Sequence, residues 1–147
     1  MKQLLVSLSA CLILMMGMPL SAQTYSMNDL VNREWKLFDD VFFDVYDMSI
    51  VMTPTQFSTT FNFKESGDQI SGGDPFYLSV EKPTVYDPEM VGQATNGKYI
   101  VLDTSHTRSD GTVKPGEFMV FEITKLTSTE LYLKGESGHT RKYRIKP

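Results

Sequence analysis

From Gln56 onward the chain alternates. Phe57, Thr59, Phe61 and Phe63 are interleaved with Gln56, Ser58, Thr60, Asn62 and Lys64, a period of two that places the two sets on opposite faces of a β-strand. The same period recurs at Trp35 and Leu37 about Lys36, at Met48, Ile50 and Met52, at Phe76, Leu78 and Val80, at Leu131 and Leu133, and at Tyr143 and Ile145. Residues 99–102 and 118–123 are apolar in both phases, which predicts strands covered on both faces. One stretch departs from alternation. In residues 26–32, Ser26 supplies a cap and Asp29 follows three residues on, so a short helix of at most about two turns is predicted.

The breaks between these runs carry turn chemistry: Glu65-Ser66-Gly67-Asp68, Ser71-Gly72-Gly73-Asp74-Pro75, Asn96-Gly97, Asp110-Gly111 and Gly135-Glu136-Ser137-Gly138. Gly, Asn and Asp tolerate the positive φ angles of tight hairpins. The count is about eight strands with a hairpin signal roughly every 10–14 residues and no helical crossover between the later ones. The expected fold is all-β: a single antiparallel up-and-down barrel with a short N-terminal helix, closure removing the edges that an open sheet exposes. A two-sheet sandwich is the alternative.

The first 22 residues read as a targeting segment. A short basic start at Lys2, an almost unbroken apolar run from Leu4 to Met18, and Pro19-Leu20-Ser21-Ala22 have the three-part layout of a signal peptide. Residues 1–22 are therefore expected to be removed, leaving 23–147 as one domain in the periplasm or outside the cell. The apolar run is short of the roughly 20 residues of a membrane span, and no other segment approaches that length. Leu8-Ser9-Ala10-Cys11 offers the rival, a lipoprotein anchored through Cys11. Against it, the chain stays apolar after the cysteine where a polar tether is expected.

Charge and composition narrow the function classes. Fourteen basic against eighteen acidic residues leave no surplus for a phosphate backbone, so no nucleic-acid partner is expected. Cys11 is the only cysteine, so 23–147 has no disulfide, cysteine-based zinc site or catalytic thiol.

Several short stretches carry a resemblance. Glu34-Trp35-Lys36-Leu37 after a short helix, Asn96-Gly97-Lys98-Tyr99-Ile100-Val101, the segment from Phe121 to Leu133, and Tyr143-Arg144 together resemble the small secreted lipocalin-like barrels of Gram-negative bacteria. The resemblance spans most of residues 26–147. It implies a non-catalytic barrel that binds a small apolar or amphipathic ligand. It also implies that Trp35 packs under the barrel floor against Arg144 or Arg141. Arg33 stands where the family carries a glycine two residues before the tryptophan, so the resemblance supports the architecture better than any ligand.

There is no H-x-x-x-H, no G-x-S-x-G and no glycine-rich phosphate loop before a helix. The carboxylates Asp39, Asp40, Asp44 and Asp47, and Glu130 and Glu136, read as solvating turn residues, since glycosidase pairs need a cleft. No catalytic residue, metal ligand or cofactor is assigned. The two histidines, His106 and His139, each occur as His-Thr-Arg in a predicted hairpin loop. In an up-and-down meander alternate loops share one rim, which gathers His106, His139, Arg108, Asp68, Asp74 and Asp110 at one mouth. Such a set suits a metal or an anionic head group; solvated loop tips are the simpler account.

The aromatic residues are the more informative signal. Phe57, Phe61, Phe63, Phe76, Phe118, Phe121, Tyr99 and Tyr143 are expected mostly on inward faces, with Met48, Met52 and Met119 as gap-fillers. Bulky side chains consume volume, so a filled interior is favoured over a sizeable cavity. If there is a cavity, Phe57, Phe61, Phe63 and Phe121 line it and His106 and His139 stand at its rim. If the interior is full, the protein is a structural or interaction module whose loops meet a protein or glycan.

Overall fold

The computed structural model describes residues 23–39, 44–105, 112 and 114–146. The leader at 1–22, including Cys11, and His106, Arg108 and Asp110 lie outside the described residues.

Eight antiparallel strands close into a barrel. In chain order the strands and helix are β1 (Tyr25–Ser26), α1 (Met27–Leu30), β2 (Glu34–Asp39), β3 (Tyr46–Met52), β4 (Gln56–Phe63), β5 (Gln69–Ser79), β6 (Asn96–Gly97), β7 (Tyr99–Asp103), β8 (Phe118–Leu126), β9 (Glu130–Lys134) and β10 (Thr140–Ile145). Around the ring they run β10-β2-β3-β4-β5-β7-β8-β9, with β10 against β9 closing it. This is the up-and-down meander read from the alternation. β1 and β6 form a separate two-stranded ladder beneath it.

The meander gives the barrel two unlike ends. At the end where β2 begins, α1 forms a floor. Ser26 caps it, its Oγ accepting from the Asn28 N–H at 3.2 Å, and Met27, Leu30 and Val31 are buried against the barrel. Trp35 is 0% exposed, and its indole N–H donates to the Leu30 carbonyl at 3.0 Å. Leu37, Ile50, Met52, Phe76, Leu78, Ile100, Ile123, Leu131 and Tyr143 complete the buried core.

The cation expected beside Trp35 stands elsewhere. Trp35 pairs with Ile145 across β2 and β10, and Arg144, one residue earlier, points outward with its side chain 61% exposed. Its guanidinium lies 3.9 Å from the Phe38 ring centroid on the outer wall. Arg141 is four residues from Ile145 toward the other end. The reason is the period of two: Arg144 and Trp35 occupy opposite faces of the sheet. Arg33 instead donates to the Ser128 carbonyl at 3.3 Å, tying the chain below β2 to the β8–β9 turn.

Two further expectations are corrected. Ser71-Gly72-Gly73-Asp74 is strand rather than turn: β5 begins at Gln69 and pairs with β4 from Gln69↔Asn62 to Pro75↔Gln56. Tyr99 and Phe118 face outward, paired with Ser79 and Asp103. They join a second apolar cluster around Tyr77, Val101 and Val120, covered by Tyr86 and Val91 of the long β5–β7 connection. This outer layer accounts for strands that are apolar on both faces.

Candidate ligand pocket

Cross-strand partners share a face, so the register fixes the inner wall. Met48 opposes Phe61, and Phe61 opposes Ile70; Thr59 opposes Gly72; Phe57 opposes Asp74. On the far wall Leu102 opposes Met119, and Leu133 opposes both Ile123 and Arg141. At the floor these positions hold large apolar side chains. Toward the other end the Thr59–Gly72 pair supplies almost no volume, and a Cβ built on Gly72 meets nothing within 4 Å.

The result is a pocket of about 310 Å³ at the end remote from α1, walled by Met48, Phe57, Phe61, Leu102, Phe121 and Tyr143, with Ile70 and Met119 among its lining residues. Ile70 is 58% and Met119 48% exposed, so apolar surface continues out to solvent. Among the described residues four polar side chains are set into this lining, Thr59, Asp74, Thr104 and Arg141, while the Ser71 hydroxyl meets that of Thr60 at 3.1 Å on the outer face. Asp74 on β5 and Arg141 on β10 are four strands apart around a ring of eight, hence on opposite walls.

A second void of about 240 Å³ adjoins the first and shares Met119, Phe121, Leu133 and Arg141 with it. It arises from unequal strands. β8 has nine residues and β9 five, and the last pair between them in this direction is Glu122↔Lys134. Residues 118–121 of β8 continue alongside β7 alone. The space opposite them is bounded by the β9–β10 turn, where Gly135 N–H donates to the His139 carbonyl at 2.9 Å, and is lined there by Glu136, Ser137 and His139.

Charges near this slot are distributed unevenly. Glu136 is paired with Lys82 at 3.2 Å. Asp39 at the end of β2 accepts from Lys142 at 2.6 Å. That hydrogen bond and the Lys142 charge hold its carboxyl below the usual range, with His139 adding in the same direction. Among the described residues, Arg141 is the one side chain with a formal charge that lines both the slot and the barrel pocket.

Of the residues named from the sequence, Phe57, Phe61 and Phe121 line the barrel pocket together. Phe63 does not: it is near the end of β4, half-buried, edge-on to Tyr46 with centroids 6.1 Å apart. His139 lines the slot, and His106 lies outside the described residues. β4, β7 and β9 end, and β5, β8 and β10 begin, at the same end of the barrel, but Asp74 belongs to the inner wall of β5. Sequence reasoning missed Arg141 as a pocket residue, although its two-residue offset from Tyr143 places both on one face. Among the described residues no group of three or more His, Cys, Asp or Glu could hold a metal ion, and no helix is long and apolar enough to cross a membrane.

In comparisons with known proteins, no family model matches the chain, and neither a curated protein nor a solved structure matches it.

Proposed function

We propose that this protein is an exported, lipocalin-like, non-catalytic barrel that takes one small apolar or amphipathic molecule into the pocket opposite α1. The observation that carries the reading is the contrast along the barrel axis: a solid core at the floor and a pocket of about 310 Å³ lined by Phe57, Phe61 and Phe121 at the other end. That volume is at the small end of ligand sites, which run about 300–1,000 Å³. The lining follows the usual division, an apolar wall with few polar groups to orient what enters. Export rests on the segment at 1–22.

The test uses the neutral fluorophore N-phenylnaphthylamine, whose emission rises in apolar surroundings. Saturable binding at one dye per chain is expected. Gly72→Phe, which extends a ring into open space without a backbone clash, should remove most of the signal while leaving the melting temperature near that of the parent. Equal dye binding by parent and variant would place the dye elsewhere and remove the support for the pocket.

A further inference from the structure

The floor end of the barrel has a niche of its own. It measures about 220 Å³ and is lined by Tyr25, Asp29, Arg33, Leu126, Thr127 and Ser128. None of these residues lines the barrel pocket or the slot. Its two charged residues are four apart in sequence, the spacing at which a continuing helix would join them as an ion pair. The helix ends first. α1 stops at Leu30, Val31 is extended, and Asn32 turns the chain with a φ of 58° while its N–H donates to the Met52 carbonyl at 2.9 Å. Arg33 therefore leaves Asp29 and donates to the Ser128 carbonyl at 3.3 Å, which engages one of the five N–H donors of its guanidinium. Most of the described lysines and arginines stand against a carboxylate. Among the described residues neither Arg33 nor Asp29 has an ion-pair partner. Opposite charges thus line one space without neutralising each other.

The walls are set before anything enters. Thr127 Oγ1 accepts from the Glu130 N–H at 3.0 Å and from the Thr129 N–H at 3.3 Å, which holds the β8–β9 turn. Tyr25 is held by its pairing with Gly97. Tyr25 and Leu126, both half-buried, add apolar surface beside the charges. A lone anion in this niche meets Asp29, and a lone cation meets Arg33. A molecule carrying both charges satisfies both, its ammonium on the carboxylate and its carboxylate on the guanidinium fork. The volume is below the roughly 300 Å³ at which pockets for larger ligands begin, so one amino acid fits better than a peptide. We propose that this niche binds a free zwitterionic α-amino acid with an apolar side chain. Asp29 takes the ammonium, Arg33 the carboxylate, and Leu126 and Tyr25 the side chain. The site stands or falls independently of the barrel pocket.

The experiment titrates the full chain with leucine, with isocaproate, which lacks the ammonium, and with isoamylamine, which lacks the carboxylate. Binding is followed through the backbone amide NMR signals of Asp29, Arg33 and Ser128. Leucine is expected to shift all three saturably and to bind about fivefold more tightly than either analogue, the upper range for one exposed ion pair. Asp29→Asn should bring leucine to the level of isocaproate, and Arg33→Gln should bring it to the level of isoamylamine. If Arg33→Gln lowers the melting temperature by loosening the β8–β9 turn, Asp29→Asn decides alone, because Asp29 is exposed and holds no such contact. Either analogue matching leucine, the absence of a saturable shift, or an Asp29→Asn variant that still prefers leucine to isocaproate overturns the assignment.

Discussion

The indole N–H of Trp35 donates to the carbonyl of Leu30 at 3.0 Å, joining the first barrel strand to the last residue of the helix beneath it. Leu30 is at the helix C-terminus, where carbonyls have lost their intrahelical partners, and burial denies it water. The indole supplies the missing donor and fills the floor with its rings.

Trp35→Ala should therefore cost about 3–5 kcal/mol, the range for emptying a buried aromatic site. Trp35→Phe keeps most of the volume and strands the Leu30 carbonyl, for a cost of about 1–3 kcal/mol. Denaturant midpoints for the two variants check the order. A Trp35→Ala midpoint equal to that of the parent would mean the helix does not seal the barrel.

Gly97 carries a second prediction. A Cβ there would come within 2.7 Å of the Ser79 backbone N and O and 2.9 Å of Leu78 Cβ. Backbone cannot swing aside as a side chain tip can, so Gly97→Ala forces β6 away from β5 and disturbs the Tyr25↔Gly97 pairing. The expected loss is about 1–3 kcal/mol. Gly72→Ala, into open space, should change stability little and serves as the control.

Tyr86 links stability to alkaline pH. Its hydroxyl is enclosed without a hydrogen-bond partner among the described residues, and its ring packs on Tyr77 and Phe118 at 5.4 and 6.4 Å. Burial, helped by the charge of Asp103, pushes its pKa up to about 12. The unfolded value is about 10, so the folded state favours the neutral phenol. Its contribution is complete below about pH 10 and is lost as pH rises through about 12. Tyr86→Phe removes a hydroxyl that finds no partner. The variant should match or exceed the parent in melting temperature near neutrality and decline less between about pH 10 and 12. Parallel decline of the two proteins would show that the phenol is hydrated in the fold.

Much of the architecture is legible in the alternation, because one face of each strand meets the core and the other meets solvent. Trp35, Ile50, Phe57, Phe76 and Leu131 all point inward as their phase requires. The exceptions have local causes. Tyr99 and Phe118 are apolar yet outward, because the β5–β7 connection brings Tyr86 and Val91 onto the barrel wall, and phase alone does not show what a long loop covers. Gly72 and Gly73 suggest a turn by composition, but seven cross-strand pairs with β4 hold them extended.

The pocket was harder to read for the opposite reason. A count of inward aromatics predicts a full interior, whereas volume is set by which residues meet at one level, and Thr59 meets Gly72. The slot depends on a comparison of neighbouring strands. Nine residues in β8 against five in β9 was the available signal. Arg141 reads from the resemblance as a floor residue beside Trp35, whereas its place four residues before Ile145 carries it to the opposite end of the barrel.

The solid floor and the hollow end also divide the sequence into two inheritances. Replacements at Trp35, Leu30 or Ile123 strike at folding, while Met48, Thr59 and Gly72 can change the shape of the cup with the floor intact. A barrel built this way can reshape its hollow end by a few steps at the rim-side layer, above all at Thr59 and Gly72, while the floor that holds the fold together stays untouched.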